Sequence, residues 1–283
     1  MSLRVLTWNV FHGRDFPPDP KLRTCRSKLF RITERNATHA QVNRDLSDEF
    51  ATIIAGAEWD VALLQECPPH WEEPLARRCQ AQTHRVLTSR NSLAPLRRLG
   101  ARINPDLIGS NEGGSNLILV RAAADAIVDR RCLVLSSGSA PERRTLGFVR
   151  LGSGVCVANA HASTGADNRS LAEAELRHAA ARCSEWAGGA PLILGGDLNV
   201  RPRDSRVYDE LAERWGLMAP TAPGALDHLL AAGLKVIEPP ALCPEGRREV
   251  TRPDGRRLRL SDHDPVAARF DFNAAASPWA QGG

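Results

Sequence analysis

The sequence predicts an α/β architecture in which two packed β-sheets carry helices on their outer faces. Eleven segments have the length and apolar pattern of strands, more than an ordinary single sheet holds. Helical segments interrupt them singly, without the regular alternation of a doubly wound sheet. No Pro/Gly/Ser linker, internal repeat or low-complexity run divides the chain before Asn273. One domain over residues 1–273 is therefore expected, followed by a short flexible tail at 274–283.

The strands are expected at Leu3 to Val10, Val61 to Gln65, Arg85 to Thr88, Asn116 to Arg121, Ala126 to Leu135 and Leu146 to Leu151. The remaining five are Val155 to Ala160, Pro191 to Gly195, Ala225 to Leu230, Leu234 to Ile237 and Pro265 to Phe272. Val42, Leu46, Phe50, Ile53 and Ile54 fall on one face of a helix from about Gln41 to Ala57. Leu171, Leu176, Ala179, Cys183 and Trp186 do the same for about Ser170 to Ala187, and Val207, Leu211 and Trp215 for Asp204 to Trp215. Residues 11–40 read as one long connection, the kind that is usually functional or disordered. Pro253-Asp254-Gly255 lies between two alternating segments and predicts a hairpin over 249–260.

Of the 283 residues, 42% are hydrophobic and 25% charged, which suits a globular protein and excludes disorder as the main state. No apolar run approaches the roughly 18 residues of a membrane helix. The N-terminus MSLRVLTWNV lacks the basic, apolar and small-residue succession of a signal peptide, so a cytoplasmic location is expected, with no membrane and no obligate protein partner. Seven scattered cysteines with no CxxC pair indicate neither a disulfide framework nor a zinc site. The net charge of +4 is unevenly spread. Residues 14–35 carry seven bases against three acids, and residues 247–259 carry six arginines against two acids. The arginine-lined hairpin, with Arg256, Arg257 and Arg259, and the first basic segment suit a phosphate-bearing partner.

Carboxylates, amides and histidines gather at the ends of the expected strands. Asn9 ends Val5-Leu6-Thr7-Trp8-Asn9, Glu66 follows Ala62-Leu63-Leu64-Gln65, and His161 ends Asn159-Ala160-His161. In Gly195-Gly196-Asp197-Leu198-Asn199 an extended chain places Asp197 and Asn199 on one side, after two glycines that permit close backbone approach. Ser261-Asp262-His263-Asp264-Pro265 sets an acid beside an imidazole. An unpaired buried charge is costly, so strand ends loaded with carboxylates imply use. In Leu226-Asp227-His228 the two polar side chains should point to opposite faces, which gives His228 a structural role if Asp227 faces the site. His12, His39, His70, His84 and His178 belong to no motif and are expected on the surface or in loops, with His12 near Asn9.

Six motifs, TWN at 7–9, QE at 65–66, NAH at 159–161, GDLN at 196–199, LDH at 226–228 and SDHDP at 261–265, resemble in their order those of the endonuclease/exonuclease/phosphatase superfamily. That superfamily includes DNase I-like nucleases, abasic-site endonucleases, inositol polyphosphate 5-phosphatases and neutral sphingomyelinases. The resemblance implies a DNase I-like four-layer α/β sandwich with the site at one end, and metal-dependent hydrolysis of phosphate esters. It implies Glu66 as the principal ligand of magnesium, or of manganese, with Asn9 and Asp262 close to the ion or its waters. His263 resembles the general base, Asp227 the acid that orients it, Asp197 the residue that positions the attacking water and Asn199 a phosphate holder. His161 matches the histidine that stabilises the transition state or assists the leaving oxygen, and Asn116 occupies a position where relatives carry a polar residue near the site.

These roles are chemically coherent. A small hard cation takes oxygen ligands and keeps several waters, and an imidazole held by a carboxylate has a fixed tautomer and raised proton affinity. As to substrate, this chain has Ala225-Leu226-Asp227-His228-Leu229 where the 5-phosphatase branch carries a WCDR-like stretch. The two basic segments favour nucleic acid held through its backbone phosphates, and a nuclease is the preferred expectation. A phosphodiesterase or phosphomonoesterase on a small metabolite or lipid headgroup is the alternative. An inactive phosphate-binding scaffold is a second alternative, disfavoured because His263, Asp227, Asp197 and Glu66 are all retained.

Overall fold

The computed structural model describes residues 1–88, 91, 93–108, 113–137 and 143–272, so the tail expected at 274–283 lies outside the described residues. From the N-terminus, strand β1 (Ser2–Asn9) leads through helix α1 (Cys25–Phe30) and the short strands β2 (Glu34–Arg35) and β3 (Ala40–Gln41) to α2 (Ser47–Gly56), β4 (Val61–Cys67), α3 (Glu72–Cys79) and β5 (Ala81–Leu87). Helices α4 (Ala94–Ile103) and α5 (Pro105–Ile108) precede β6 (Ser115–Arg121), β7 (Ile127–Ser136), β8 (Arg144–Leu151) and β9 (Cys156–His161). The last part comprises α6 (Arg169–Ala187), β10 (Leu192–Asp197), α7 (Val207–Trp215), β11 (Asp227–Ala232), β12 (Lys235–Leu242), β13 (Glu249–Thr251), β14 (Arg257–Arg259) and β15 (Val266–Asp271).

Each of the eleven expected strands forms, with ends shifted by a few residues, and they build two mixed sheets. One runs β12-β15-β1-β4-β6-β5 and the other β11-β10-β9-β8-β7. Strand β1 shows why the sheets stack: both its faces are apolar. Leu3 and Val5 join Val61, Leu63, Ile118, Val157, Ile193 and Leu229 between the sheets. Leu6 and Trp8 point the other way, onto Phe50 and Ile54 of α2 and Leu75 of α3. On the far side Phe148, Ala158 and Leu194 pack against Leu176, Ala179 and Cys183 of α6 and Leu211 of α7. Helix, sheet, sheet and helix make the four layers expected from the resemblance. None of the described helices is long and apolar enough to cross a membrane.

The first helix is shorter than its apolar spacing predicts. Residues expected to begin it at Gln41 instead pair with β2, and helix starts only at Ser47. Local polar bonds outcompete the helix: Val42 N–H donates to Asp15, and the Asn43 amide donates to the Ser27 and Lys28 carbonyls. Val42 and Leu46 are buried all the same, so the spacing reports burial but not conformation. The third expected helix likewise starts late, at Val207 after a 3-10 turn over Pro202–Asp204. The connection 11–40 is ordered. Thr24 Oγ1 accepts from Ser27 N–H at 3.0 Å and caps α1, which ends on Arg31 in the left-handed region. The expected hairpin pairs Glu249 with Arg259, Val250 with Leu258 and Thr251 with Arg257.

Candidate active site

Strands β1 and β4 run parallel in one sheet, β9 and β10 in the other, and their carboxyl ends meet at one rim of the sandwich. Register does much of the positioning. Asp197 is paired with His161 on one side and Asp227 on the other, so three side chains on neighbouring strands line up on one face. Gly196, one residue earlier, has φ +135 and a Cβ there would lie 1.9 Å from the Ala160 carbonyl oxygen. Gly195 faces Leu63 and Leu229 between the sheets with no more room. The two glycines thus let β10 press close enough to set Asp197 in the row.

His263 arrives from the segment before β15 and its Nδ1–H donates to Asp227 Oδ2 at 2.7 Å. Its backbone is pinned as well: Trp8 Nε1–H donates to the His263 carbonyl at 2.9 Å, and His263 N–H donates to Ser261 Oγ at 3.1 Å. His263 Nε2 is 3.8 Å from Asp197 Oδ2. Asn9 Nδ2 donates to the same Asp197 oxygen at 3.0 Å, while its Oδ1 accepts from Phe11 N–H. Glu66 sits where the pairing of β4 with β6 breaks register, with φ +50, and reaches toward His161 Nε2 at 3.9 Å and His12 Nε2 at 3.2 Å. Asn199, at φ +54, donates from Nδ2 to the Ala162 carbonyl. Phe11, His12, Glu66, Asn199 and Ser261 are all non-glycine residues at positive φ. Such strain costs on the order of 1–3 kcal/mol each and is concentrated where function requires a fixed side chain.

The electrostatics follow from burial and crowding. Burial pushes the Asp197 carboxyl up, and the facing Asp227 charge adds to it while His263 opposes it. For His263 burial works against the charged ring, but the Asp227 hydrogen bond and the charges of Asp197, Asp227 and Asp262 outweigh it and raise the imidazole to about 10. His161 is held well below its ordinary value by burial and then by Arg144, whose Nη1 donates to His161 Nδ1 at 3.2 Å. The same Nη1 lies 3.5 Å from His161 Nε2, which also faces Asp197 Oδ2 at 3.5 Å.

The cluster fits a divalent cation. Asp197, Asp227 and His263 each offer a ligand atom within 4.8 Å of the others, but the Asp227–His263 hydrogen bond occupies that pair, so the carboxylates beside it are the ones open to an ion. Glu66 adds a partly exposed carboxylate, close enough to Asp262 for their charges to act on each other. An oxygen-rich, negatively charged group of this kind suits magnesium or manganese.

Of the twelve site residues expected from the sequence, Asn9, Glu66, His161, Asp197, Asn199, Asp227, Asp262 and His263 come together at this rim. Asn116 is fully buried on β6, opposite the point where β4 breaks register at Glu66; its Nδ2 donates to the Thr145 carbonyl, tying β6 to β8 across the sheets, while its Oδ1 is buried without a hydrogen-bond partner. Arg256, Arg257 and Arg259 are engaged within the hairpin region, with Asp254, with Glu249, and with Glu245 and Glu249 respectively. His228 is buried on the opposite face, bonded to Thr221 N–H and the Ala225 carbonyl and packed on Tyr208.

Sequence reasoning missed Arg144 and left His12 and Arg14 outside the candidate site proper. His12, expected in a surface loop, lies against Glu66; Arg14 stacks on the Phe11 ring at 3.8 Å; and Arg144 is buried against His161. Proximity to Asn9 was the available signal for the first two. Arg144 carried none, since it opens a strand in an arginine-rich stretch.

The sequence pattern of the Endonuclease/Exonuclease/phosphatase family matches residues 6–263. None of the curated proteins matches the chain significantly. Among solved structures, an endonuclease/exonuclease/phosphatase family protein from Bacteroides thetaiotaomicron superposes with TM-score 0.64 at 15% identity, covering 96% of this chain and 98% of the other. TDP2 from Caenorhabditis elegans gives 0.58 at 20% identity over 96% and 75%. A mannosyl-6-phosphatase from Bacteroides thetaiotaomicron gives 0.62 at 16% identity over 95% and 100%. These likenesses establish the fold, and the family match spans the whole row of site residues from Asn9 to His263. The chain belongs to the Endonuclease/Exonuclease/phosphatase family, whose members are metal-dependent phosphoric ester hydrolases.

Proposed function

We propose that the protein is a magnesium-dependent phosphodiester hydrolase acting on a nucleic acid chain. The observation that carries the hydrolytic reading is the Asp227–His263 hydrogen bond beside Asp197, an imidazole held by one carboxylate and aimed at a second. A water between His263 Nε2 and Asp197 Oδ2 would be oriented by Asp197 and lose its proton to Nε2 as it attacks phosphorus in line with the leaving oxygen. Asn9 keeps Asp197 in place. Asn199 would hold a phosphoryl oxygen, and His161 would donate from Nε2 to the oxygen on which charge develops. Glu66, with Asp262 and Asn9, would hold magnesium. The ion supplies Lewis-acid polarisation of the phosphoryl group and relieves His263 of compensating the carboxylates.

The choice of a nucleic acid rests on the basic segment 14–35, whose Arg14 lies beside the Glu66 and Asp262 charges and whose Lys21, Arg26, Lys28 and Arg35 are exposed. A second reading, phosphomonoesterase on a small phosphorylated metabolite, is favoured by the hairpin arginines: neutralised by Asp254, Glu245 and Glu249, they have less charge to offer a long polyanion. One of the structural neighbours is a mannosyl-6-phosphatase. A panel of single- and double-stranded DNA, RNA, an abasic duplex, bis(p-nitrophenyl) phosphate and sugar phosphates decides. Polynucleotide cleavage supports the first reading, and turnover of sugar phosphates alone supports the second.

A further inference from the structure

A pocket of about 250 Å³ opens directly beyond Asn199, lined by Gly165, Arg169, Asn199, Val200, Arg201, Asp204 and Leu226. Three connections of the five-stranded sheet build it. Gly165 and Arg169 follow β9, Arg201 and Asp204 follow β10, and Leu226 precedes β11. Its inner wall belongs to the site: Asn199 N–H donates to Asp197 Oδ1, and Leu198 N–H donates to the Leu226 carbonyl. The pocket is thus continuous with the position at which a scissile phosphate would be held.

The pocket carries positive charge at its rim. Several arginines of this chain face an acid, as Arg177 faces Glu210 and Arg248 faces Asp264. Among the described residues Arg169 and Arg201 have no carboxylate within 4 Å, and both are exposed and line the same pocket. The acid in the lining, Asp204, lies near Arg203 instead, at 3.7 Å. Two arginines without an acid partner lining one pocket, with a cluster of carboxylates on the other side of Asn199, form a graded field. One end suits a cation and the phosphate it binds, the other a further anion.

We infer that this pocket binds a second phosphate of the substrate, so that the preferred ester carries two phosphates, one held at Asn199 for attack and one between Arg169 and Arg201. The inference rests on the hydrolase reading for the position of the first phosphate. The same chemistry is presented by a small bisphosphate and by the next phosphate of a polynucleotide.

The test separates binding from turnover. In the His263→Ala protein with magnesium present, the affinity of adenosine 3′,5′-bisphosphate is compared with that of adenosine 5′-monophosphate, and 5′-phosphorylated dithymidylate with unphosphorylated dithymidylate, by calorimetry. Each comparison is repeated after adding Arg169→Ala and Arg201→Ala. At least about a tenfold preference for the second phosphate, lost in the triple variant, is expected from two charge-assisted contacts. Preference in the adenosine arm alone identifies a small bisphosphate, and in the dithymidylate arm alone a polynucleotide. No preference in either arm, no measurable binding, or a preference that survives loss of both arginines overturns the inference. Release of phosphate or nucleoside by the His263→Ala protein would count against the hydrolase reading instead, without touching the affinity ratios.

Discussion

Asp227 and His263, 36 residues apart in the chain, meet through a 2.7 Å hydrogen bond made by the first residue of β11 and the segment before β15. The bond fixes which imidazole nitrogen is free, and the strand register fixes where it points, because Asp227 is paired with Asp197.

Asp227→Asn should therefore lower kcat by about 10²- to 10⁴-fold, the usual contribution of a positioned base, with KM little changed. Removing one of two facing carboxylates should not lower the thermal midpoint. Steady-state kinetics and a melting curve on the same preparation check both statements.

Arg144 is buried against a neutral imidazole and has no carboxylate partner among the described residues. An unpaired buried charge costs stability, so Arg144→Met should leave stability unchanged or raise it by about 1–3 kcal/mol. Activity should fall about 10- to 100-fold as His161 loses the guanidinium that positions its ring. Denaturant unfolding and turnover should thus move in opposite directions, and parallel losses would return Arg144 to an ordinary structural role.

Asp15 gives a pH dependence away from the site. Burial is the main reason its carboxyl is raised to about 8, against the bond it accepts from Val42 N–H. The folded protein then holds a proton that the unfolded chain releases near pH 4, so this group makes stability fall as pH rises from about 4 to about 8. The slope is at most about 1.4 kcal/mol per pH unit, and Asp15→Asn should remove it. Unfolding free energies measured at pH 5, 6 and 7 for both proteins test the sign.

Gly196→Ala should destabilise by at least about 3 kcal/mol, since the new methyl would have to displace the Ala160 carbonyl at a backbone angle other residues rarely adopt. A midpoint within a few degrees of the wild type would show that β9 and β10 can separate at no great cost.

The strands were legible because most are buried on both faces and read as apolar runs ended by polar residues, as Ala62 to Leu64 before Gln65 and Glu66. The site was legible for the same reason: its members stand where those runs stop. The start of α2 was not, because Val42 and Leu46 keep a helical spacing while side chains of Asp15 and Asn43 bind the backbone around them. The pairing of charges in the hairpin was not legible. Counting charges, with Glu249 and Asp254 included, gave a net basic hairpin; which arginines Glu245 and Glu249 pair with becomes visible only once the strands pair. His12 escaped because its role depends on a left-handed backbone turn just after β1.

The most direct test of a metal-dependent phosphoric ester hydrolase built on Glu66 and His263 is bis(p-nitrophenyl) phosphate hydrolysis titrated with magnesium, for the wild type, Glu66→Gln and His263→Ala. The account predicts saturable magnesium-dependent turnover in the wild type, a requirement for much higher magnesium in Glu66→Gln, and near-complete loss in His263→Ala at every magnesium concentration. Turnover indifferent to magnesium, or retained in His263→Ala, would contradict it.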